Sequence, residues 1–335
     1  MKTKKLRMAL LSPSMILIYV ILLFSFAVAL SEPAFFSPAM VINTLRAGIF
    51  TACFALCEML VILAGGIDVS FPAIGCVSMC VPMYLYENGL IPDNALLFFL
   101  IAAFCGLILG SLNGFMVSCL GLLPLIATLA TSAIASGGLI LLLGAKEYTD
   151  LPSSLRALYE ADLFTYTEKA SGFTYPMTSL ILFPVILALV MAFVLRYTML
   201  GRGLYAVGGS LSAAVAVGFD TRKLRFFTYA ASGVITGVTA MIYTTLLHSA
   251  SATALMGDEM LVIAACVIGG CRLSGGHGTV HGTLLGVLLI TLVKNNLNML
   301  GIPTSWQTFA VGVVLLVSVL ITAVREKFAA AHQRK

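Results

Sequence analysis

Glu58-Met59-Leu60-Val61-Ile62-Leu63-Ala64-Gly65-Gly66-Ile67-Asp68-Val69-Ser70 is an apolar run opened by an acid and broken at a glycine pair, and it has an echo. Glu259-Met260-Leu261-Val262-Ile263 repeats its first five residues, and Gly269-Gly270-Cys271-Arg272-Leu273-Ser274 repeats the pattern of its end. In both places Gly-Gly is followed by one residue, a charge, an aliphatic residue and Ser. Common origin and shared apolar composition both account for such an echo. The breaks matter more, because paired apolar segments interrupted at glycine are how membrane transporters bring backbone and charge to a solute path.

The composition places the chain in a bilayer. Of its 335 residues 60% are hydrophobic and 10% charged, with a mean hydropathy of +1.05. Soluble globular chains carry about 25% charged residues, so this chain cannot cover a water-facing surface. The net charge of +5 is spread over short loops and is no nucleic-acid signal. Eight cysteines lie within or beside apolar stretches, and none has metal-ligand spacing with a histidine. Cys53/Cys57 and Cys76/Cys80 are spaced for helix packing. There is no phosphate-cradling G-x-x-x-x-G-K-[ST], no HExxH and no GxSxG. No cofactor and no metal are expected, and the chain reads as a conductor of solute, not an enzyme.

A helix needs about 20 apolar residues to cross the hydrocarbon. Ten segments qualify: 8–30, 43–64, 70–86, 95–117, 122–144, 177–195, 226–247, 259–271, 279–299 and 305–324. The eighth is short, and the first is longer than the apolar stretch of a signal peptide. The fold class is therefore an all-α polytopic membrane protein of one domain, 1–335, with glycine-broken segments. Basic residues set orientation. With both termini cytoplasmic, Lys2, Lys4, Lys5, Arg7, Arg196, Arg202, Arg222, Lys223, Arg225, Arg272, Arg325, Lys327, Arg334 and Lys335 fall inside. The acids Glu32, Glu87, Asp93, Asp258 and Glu259 then fall outside, with five more in the loop 145–176. The inner loop is 196–225.

Candidate site residues follow. Glu58 is a carboxylate deep in the second span, costly there and either functional or hydrogen-bonded to a neighbouring helix. Gly65 and Gly66 permit positive φ and close backbone approach, and Asp68 and Ser70 are placed to cap the next helix. Asn113, and Asn296 beside Asn295, Asn298 and Lys294, are amides in apolar helices that either meet solute or bond across helices. Ala127, Thr131 and Ala135, with Ser132 and Ser136, mark a close-packed face of the fifth span. In the inner loop, Ser210, Leu211, Ser212, Ala213, Ala214 and Val217 form a small-residue helix pattern ended by Gly218. Such a helix docks into a partner groove, or lies on the membrane with its flanking arginines at lipid phosphates.

Taken in order, GGIDVS, Asn113-Gly114, LGRGLYAVGGSLSAA, VIGGCRLSGGHGTVHGTLLG and NNLNMLG resemble the permease subunits of bacterial ABC importers of the ribose-type sugar branch. Autoinducer-2 and galactofuranose permeases belong to that branch, and nucleoside permeases are relatives. The resemblance covers about residues 40 to 322. It implies a ten-helix fold in the inner membrane, a second identical or similar permease chain, an ATP-binding subunit and an external solute-binding protein. It makes 210–218 the helix that couples to the ATPase. Many such proteins carry Glu-Ala-Ala there, whereas this chain reads Leu211-Ser212-Ala213-Ala214. Family members usually place a glycine two residues after the first Ser, where this chain has Pro72 after Phe71. The alternative function is a secondary transporter coupled to H⁺ or Na⁺ through Glu58 or Asp68.

The charge split makes a topological prediction. A cysteine at Ser212, in a background without the native cysteines, is labelled by an impermeant maleimide only after the membrane is opened. Labelling in intact cells overturns the orientation.

Overall fold

The computed structural model describes residues 13–31, 33–168 and 172–299, with isolated positions from 303 to 316. The tenth expected span and the basic residues of both chain ends lie almost wholly outside these residues.

The described chain is mostly helical. Helices α1 (Pro13–Ser31), α2 (Pro38–Leu63), α3 (Phe71–Glu87), α4 (Ala95–Ser118) and α5 (Pro124–Leu143) come first. After α6 (Ser153–Glu160) come α7 (Leu182–Tyr197), α8 (Met199–Gly209), α9 (Leu211–Ala216) and α10 (Thr221–Leu247). The half-length α11 (Glu259–Ile268) and α12 (Val280–Met299) complete the set. Among the described residues five helices are long and apolar enough to cross a membrane: α2, α4, α5, α10 and residues 179–197. The segment 259–271 forms a helix of 10 residues, about 15 Å at 1.5 Å per residue, which is half a bilayer core.

Among the described residues strand is confined to two small antiparallel pairs. Glu147–Tyr148 (β1) pairs with Ala250–Ser251 (β4), and Asp162–Thr167 (β2) with Thr174–Thr178 (β3). The described residues are those of an all-α membrane protein, with short strands only in or beside the loop 145–176 and at Ala250–Ser251. That loop is pinned to the bundle. Arg46 of α2 donates to the Pro176 carbonyl and the Tyr159 hydroxyl, each at 3.2 Å. Asp93 accepts from the backbone N–H and hydroxyl of Ser153 at 2.8 and 2.6 Å, seating the start of α6.

Two features order the bundle. The outer faces of α4, α5 and α7 stay apolar, as Leu100, Leu141 and Leu189 illustrate, so these helices meet lipid on one side. The inner face of α4 is glycine. A Cβ on Gly106 would strike the Gly233 carbonyl, one on Gly110 the Tyr229 carbonyl, and one on Gly237 the Ala102 carbonyl. Hydrocarbon gives no solvent-driven reason for helices to associate, so small residues that let backbones touch supply the packing. At the loop helix, Ser210 caps α9 by accepting the Ala213 N–H at 3.3 Å, and Asp220 caps α10 by accepting the Lys223 N–H at 3.0 Å. That N–H, with the Lys223 side chain, holds the Asp220 carboxyl below its ordinary value.

The α4–α10 seam is sensitive to volume. Gly233→Leu has no room and removes monodisperse protein from detergent extracts, whereas Gly138→Leu, where the added atom meets nothing within 4 Å, is tolerated. Fluorescence-detected gel filtration of the two variants measures the contrast. Equal profiles contradict the packing.

Candidate functional site

α2 runs 26 residues and stops within the bundle. After residues 64–70 the chain re-enters as α3, whose first turn holds Pro72. Between the two helices the backbone is exposed to its neighbours, and a set of polar side chains closes on it. The Glu58 Oε1 atom accepts the Asp68 N–H at 3.1 Å. Asp68 Oδ1 accepts the Ser70 N–H at 2.8 Å and the Ser70 hydroxyl at 2.5 Å. The Ser70 oxygen accepts from Asn113 Nδ2 at 2.7 Å, and Asn113 Oδ1 accepts the Thr131 hydroxyl at 2.6 Å. Thr128 receives the Val69 N–H at 3.3 Å. All six side chains are buried, and together they tie α2, α3, α4 and α5 to the break.

This geometry decides several expectations. Ser70 does not cap α3 with its side chain; its hydroxyl turns to Asp68 and Asn113, and Asp68 closes the turn instead. Gly65 and Gly66 have separate reasons. Gly65 has φ +80, a left-handed conformation, while a Cβ on Gly66 would run into the Tyr229 hydroxyl. The second break divides the same two tasks in reverse. Gly269 is the close approach, against the Gly282 carbonyl, and Gly270 carries φ +95. The acids of the echo are not equivalent. Glu58 is buried near the end of its helix, whereas Glu259 opens α11 and is half-buried.

The two breaks meet. Gly276 donates its N–H to the Leu63 carbonyl at 3.1 Å. A Cβ on Gly275 would stand 2.7 Å from Gly65 Cα and 2.8 Å from the Gly208 carbonyl. Gly208 lies in the last turn of α8, and a Cβ there would strike the Leu63 carbonyl and the Gly276 nitrogen. Tyr205, also on α8, donates to the Gly278 carbonyl at 2.9 Å. Three chain segments therefore touch backbone to backbone, and the third of them leads directly into α9.

α9 itself is short and half-bare. Leu211, Val215 and Val217 are exposed, with Ser212, Ala213 and Ala216 beside them, and Gly218 leaves the helix with φ +92. Ala214 is the exception. It is 1% exposed, so it holds α9 to the molecule and offers nothing to a partner. Beside the middle of α2 a cavity of about 130 Å³ has a polar set in its lining: Thr51 of α2, Asp258, and Thr291, Lys294 and Asn295 of α12. Asn296 does not line it; its amide donates to the Leu292 carbonyl of its own helix at 2.6 Å. Thr131 reads in the sequence as packing, and Thr128 and Tyr229 are not singled out there.

Among the described residues no group of three or more His, Cys, Asp or Glu could hold a metal. Residues 40–319 match the family described as branched-chain amino acid transport system / permease component. The chain is 32% identical over 302 residues to a "Probable ABC transporter permease protein y4mJ" of Sinorhizobium fredii, covering 90% of this chain and 86% of that one. It is 32% identical over 294 residues to the ribose import permease protein RbsC of Bacillus subtilis, covering 88% of each. It is 33% identical over 278 residues to the autoinducer 2 import system permease protein LsrC of Yersinia pseudotuberculosis, covering 80% of this chain and 75% of that one. No solved structure matches. The chain belongs to this permease family.

The break generates two predictions. Glu58→Gln keeps an acceptor for the Asp68 N–H and stays near wild-type thermal stability, whereas Glu58→Leu orphans that N–H at about 1–3 kcal/mol; melting in detergent ranks the two. Gly66→Ala is destabilised by the Tyr229 hydroxyl, and Tyr229→Phe restores part of the loss. The same second change does nothing for Gly65→Ala, whose strain lies in φ. Rescue of both or of neither contradicts the assignment.

Proposed function

We propose that this chain is the membrane-spanning permease subunit of an ATP-driven importer for a sugar or sugar-like small solute. It works with a second permease chain, identical or similar, with a separate ATP-binding subunit and with an external solute-binding protein. Its fold would have ten spans in the inner membrane, with both termini and the loop 196–225 cytoplasmic and 145–176 outside. The relatives' names, ribose import permease and autoinducer 2 import system permease, supply the solute class. The observation that carries the reading is the contact of Gly208 with both breaks, just ahead of Ser210, the cap of an exposed short helix.

The mechanism follows from that contact. An ATPase pair that closes on nucleotide moves α9 as a rigid body. α8 transmits the displacement, because Gly208 is in backbone contact with Leu63 and Gly276 and Tyr205 is hydrogen-bonded to Gly278. Nothing flexible lies between, since glycine has no side chain to rotate. The two breaks shift together, and the walls of the path change their tilt. In this scheme Glu58, Asp68 and Asn113 act by holding the first break in shape, and Gly65 and Gly66 let it form.

The ion-coupled alternative asks Glu58 or Asp68 to exchange a cation with water during the cycle. Both are buried and both hold backbone or Ser70. Releasing those bonds each turnover would dismantle the break, which favours the ATP-driven reading.

The docking face on α9 is Leu211, Ser212, Ala213, Val215 and Val217. Ala213→Arg or Val215→Asp leaves membrane insertion intact, because the loop is outside the hydrocarbon, but releases the ATPase on purification and abolishes ATP-driven uptake. Co-purification and uptake in vesicles with collapsed ion gradients are the measurements. An ATPase that remains bound and coupled in both variants overturns the docking face. Uptake that disappears when the gradients collapse favours ion coupling. Ala214→Glu fails earlier, as loss of folded protein, since that residue is buried.

A further inference from the structure

The buried network engages Asp68 and one oxygen of Glu58, whose Oε2 has no partner among the described residues, and it leaves out a second pair of charges elsewhere in the bundle. Asp258 and Lys294 line one cavity together with Thr51, Thr291 and Asn295. We infer that this cavity is a binding site for a small, electrically neutral, polyhydroxylated solute. The inference rests on the importer reading and gives it a place where solute is held.

Position comes first. Thr51 lies at the middle of α2, which runs from 38 to 63. Asp258 immediately precedes α11, at the end of a stretch that dips into the bundle. Its neighbour Leu255 reaches Gly75 in the second turn of α3, where an added Cβ would stand 2.6 Å from the leucine methyl. The cavity therefore lies at half the height of α2, at the depth where transporters hold their solutes. Its walls are the helices that the breaks terminate or bracket: α2 on one side, α11 and α12 on the other.

Chemistry comes second. Among the described residues neither the Asp258 nor the Lys294 side chain makes an ion pair or a hydrogen bond, although both face the same space. The two act on each other only across the cavity, and charges at membrane depth are expensive and mark solute pathways. Opposite in sign, they cancel, so the cavity as a whole favours neither an anion nor a cation. A carboxylate accepts only, an ammonium donates only, and threonine hydroxyls and the Asn295 amide do both. A hydroxyl group satisfies either kind, and a ring bearing several hydroxyls bridges an acceptor on one wall to a donor on the other.

Shape comes third. Phe50 and Phe54 line it too, beside Ala47, Leu261, Val262 and Ile290, and each phenylalanine is held from behind. Phe50 meets Tyr243 edge to face at 5.2 Å, and Phe54 tilts against Phe71 at 5.3 Å. Rigid aromatic faces suit the C–H face of a sugar ring. A volume of about 130 Å³ is room for the roughly ten non-hydrogen atoms of a five-carbon sugar, at ~10–15 Å³ for each water-sized particle. Two larger cavities, about 560 and 520 Å³, are lined mainly by leucine, valine and alanine and have no such polar set.

The test is protection from alkylthiosulfonate labelling. The transporter complex, with its ATPase partner bound, is placed in nanodiscs. Cys105 and Cys119, which are not buried, are replaced by Ser; the other six cysteines are buried and remain. Thr51→Cys is then labelled with a cationic thiosulfonate. The expected result is that D-ribose, D-xylose or D-galactose slows labelling, by about twofold when the sugar reaches its dissociation constant and further above it. L-leucine, a zwitterion, does not. Asp258→Asn combined with Lys294→Gln removes the protection while the complex stays assembled. Absence of labelling overturns the proposal, because the cavity is then closed to solute. Labelling unaffected by every sugar, or slowed by leucine alone, overturns it as well. ATP-driven uptake of the same sugars separates the two claims. Uptake without protection sinks this site and leaves the importer reading, while protection without ATP-driven uptake sinks the importer reading and leaves the site.

Discussion

A backbone that leaves its helix inside hydrocarbon must be satisfied by protein, since no water is there to do it. Residues 64 to 70 face that constraint, and most of the described polar architecture around them answers it. Glu58 takes one N–H, Asp68 the next, Thr128 a third, and Asn113 and Thr131 hold the acceptors in place. The same constraint explains why the network spans four helices. No single helix has enough side chains near the break, so its neighbours supply the rest, and the order of packing becomes fixed. Removal of any one partner would leave a buried group unpaired, at about 1–3 kcal/mol.

Much of this is legible in the order of the residues alone. The apolar segments from 43–64 to 279–299 all appear as helices, with ends shifted by a few residues, and the described part of the segment 8–30 lies in α1. Both glycine pairs are breaks. The helix pattern over Ser210 to Val217 is a capped helix ended at Gly218. What is not legible has a common cause: it depends on which face meets which. Ala213 and Ala214 are indistinguishable in sequence, yet a rotation of one residue puts the second against the molecule. Gly66 is readable as special but not as a place where Tyr229, far along the chain, stands. Thr131 looks like a member of a small-residue face, because a hydroxyl that bonds a side chain on another helix leaves no periodic trace. The glycines 106, 110 and 114, set against Gly233, Tyr229 and Phe226, do have a signal, a spacing of four, which marks helices in backbone contact.

The echo between the two halves gains a sharper meaning. It is preserved where geometry requires it, in one left-handed glycine and one glycine in close contact at each break, though the two exchange order. It is not preserved in the acids, which serve one buried site and one half-buried helix start. Similarity of letters therefore overstates the equivalence of the carboxylates and understates that of the backbone. The breaks meet through Gly65 and Gly275, so each is part of the other's surroundings, and Gly208 makes the loop helix part of both.

The short α11 also bears on how the chain enters the membrane. Ten apolar residues preceded by a stretch that dips to Gly75 do not make a segment that an insertion machinery can release into lipid by itself. One neighbour, α2, is already synthesised when they emerge, but α12, whose Gly282 and Gly286 seat against Gly269 and Ala265, is not. Biogenesis must then hold residues 249 to 279 in waiting until the next helix arrives, and the half-helix is placed last, by its neighbours. A ribosome stalled shortly after residue 279 would leave a bundle with an unsealed seam, the kind of intermediate that membrane quality-control proteases remove.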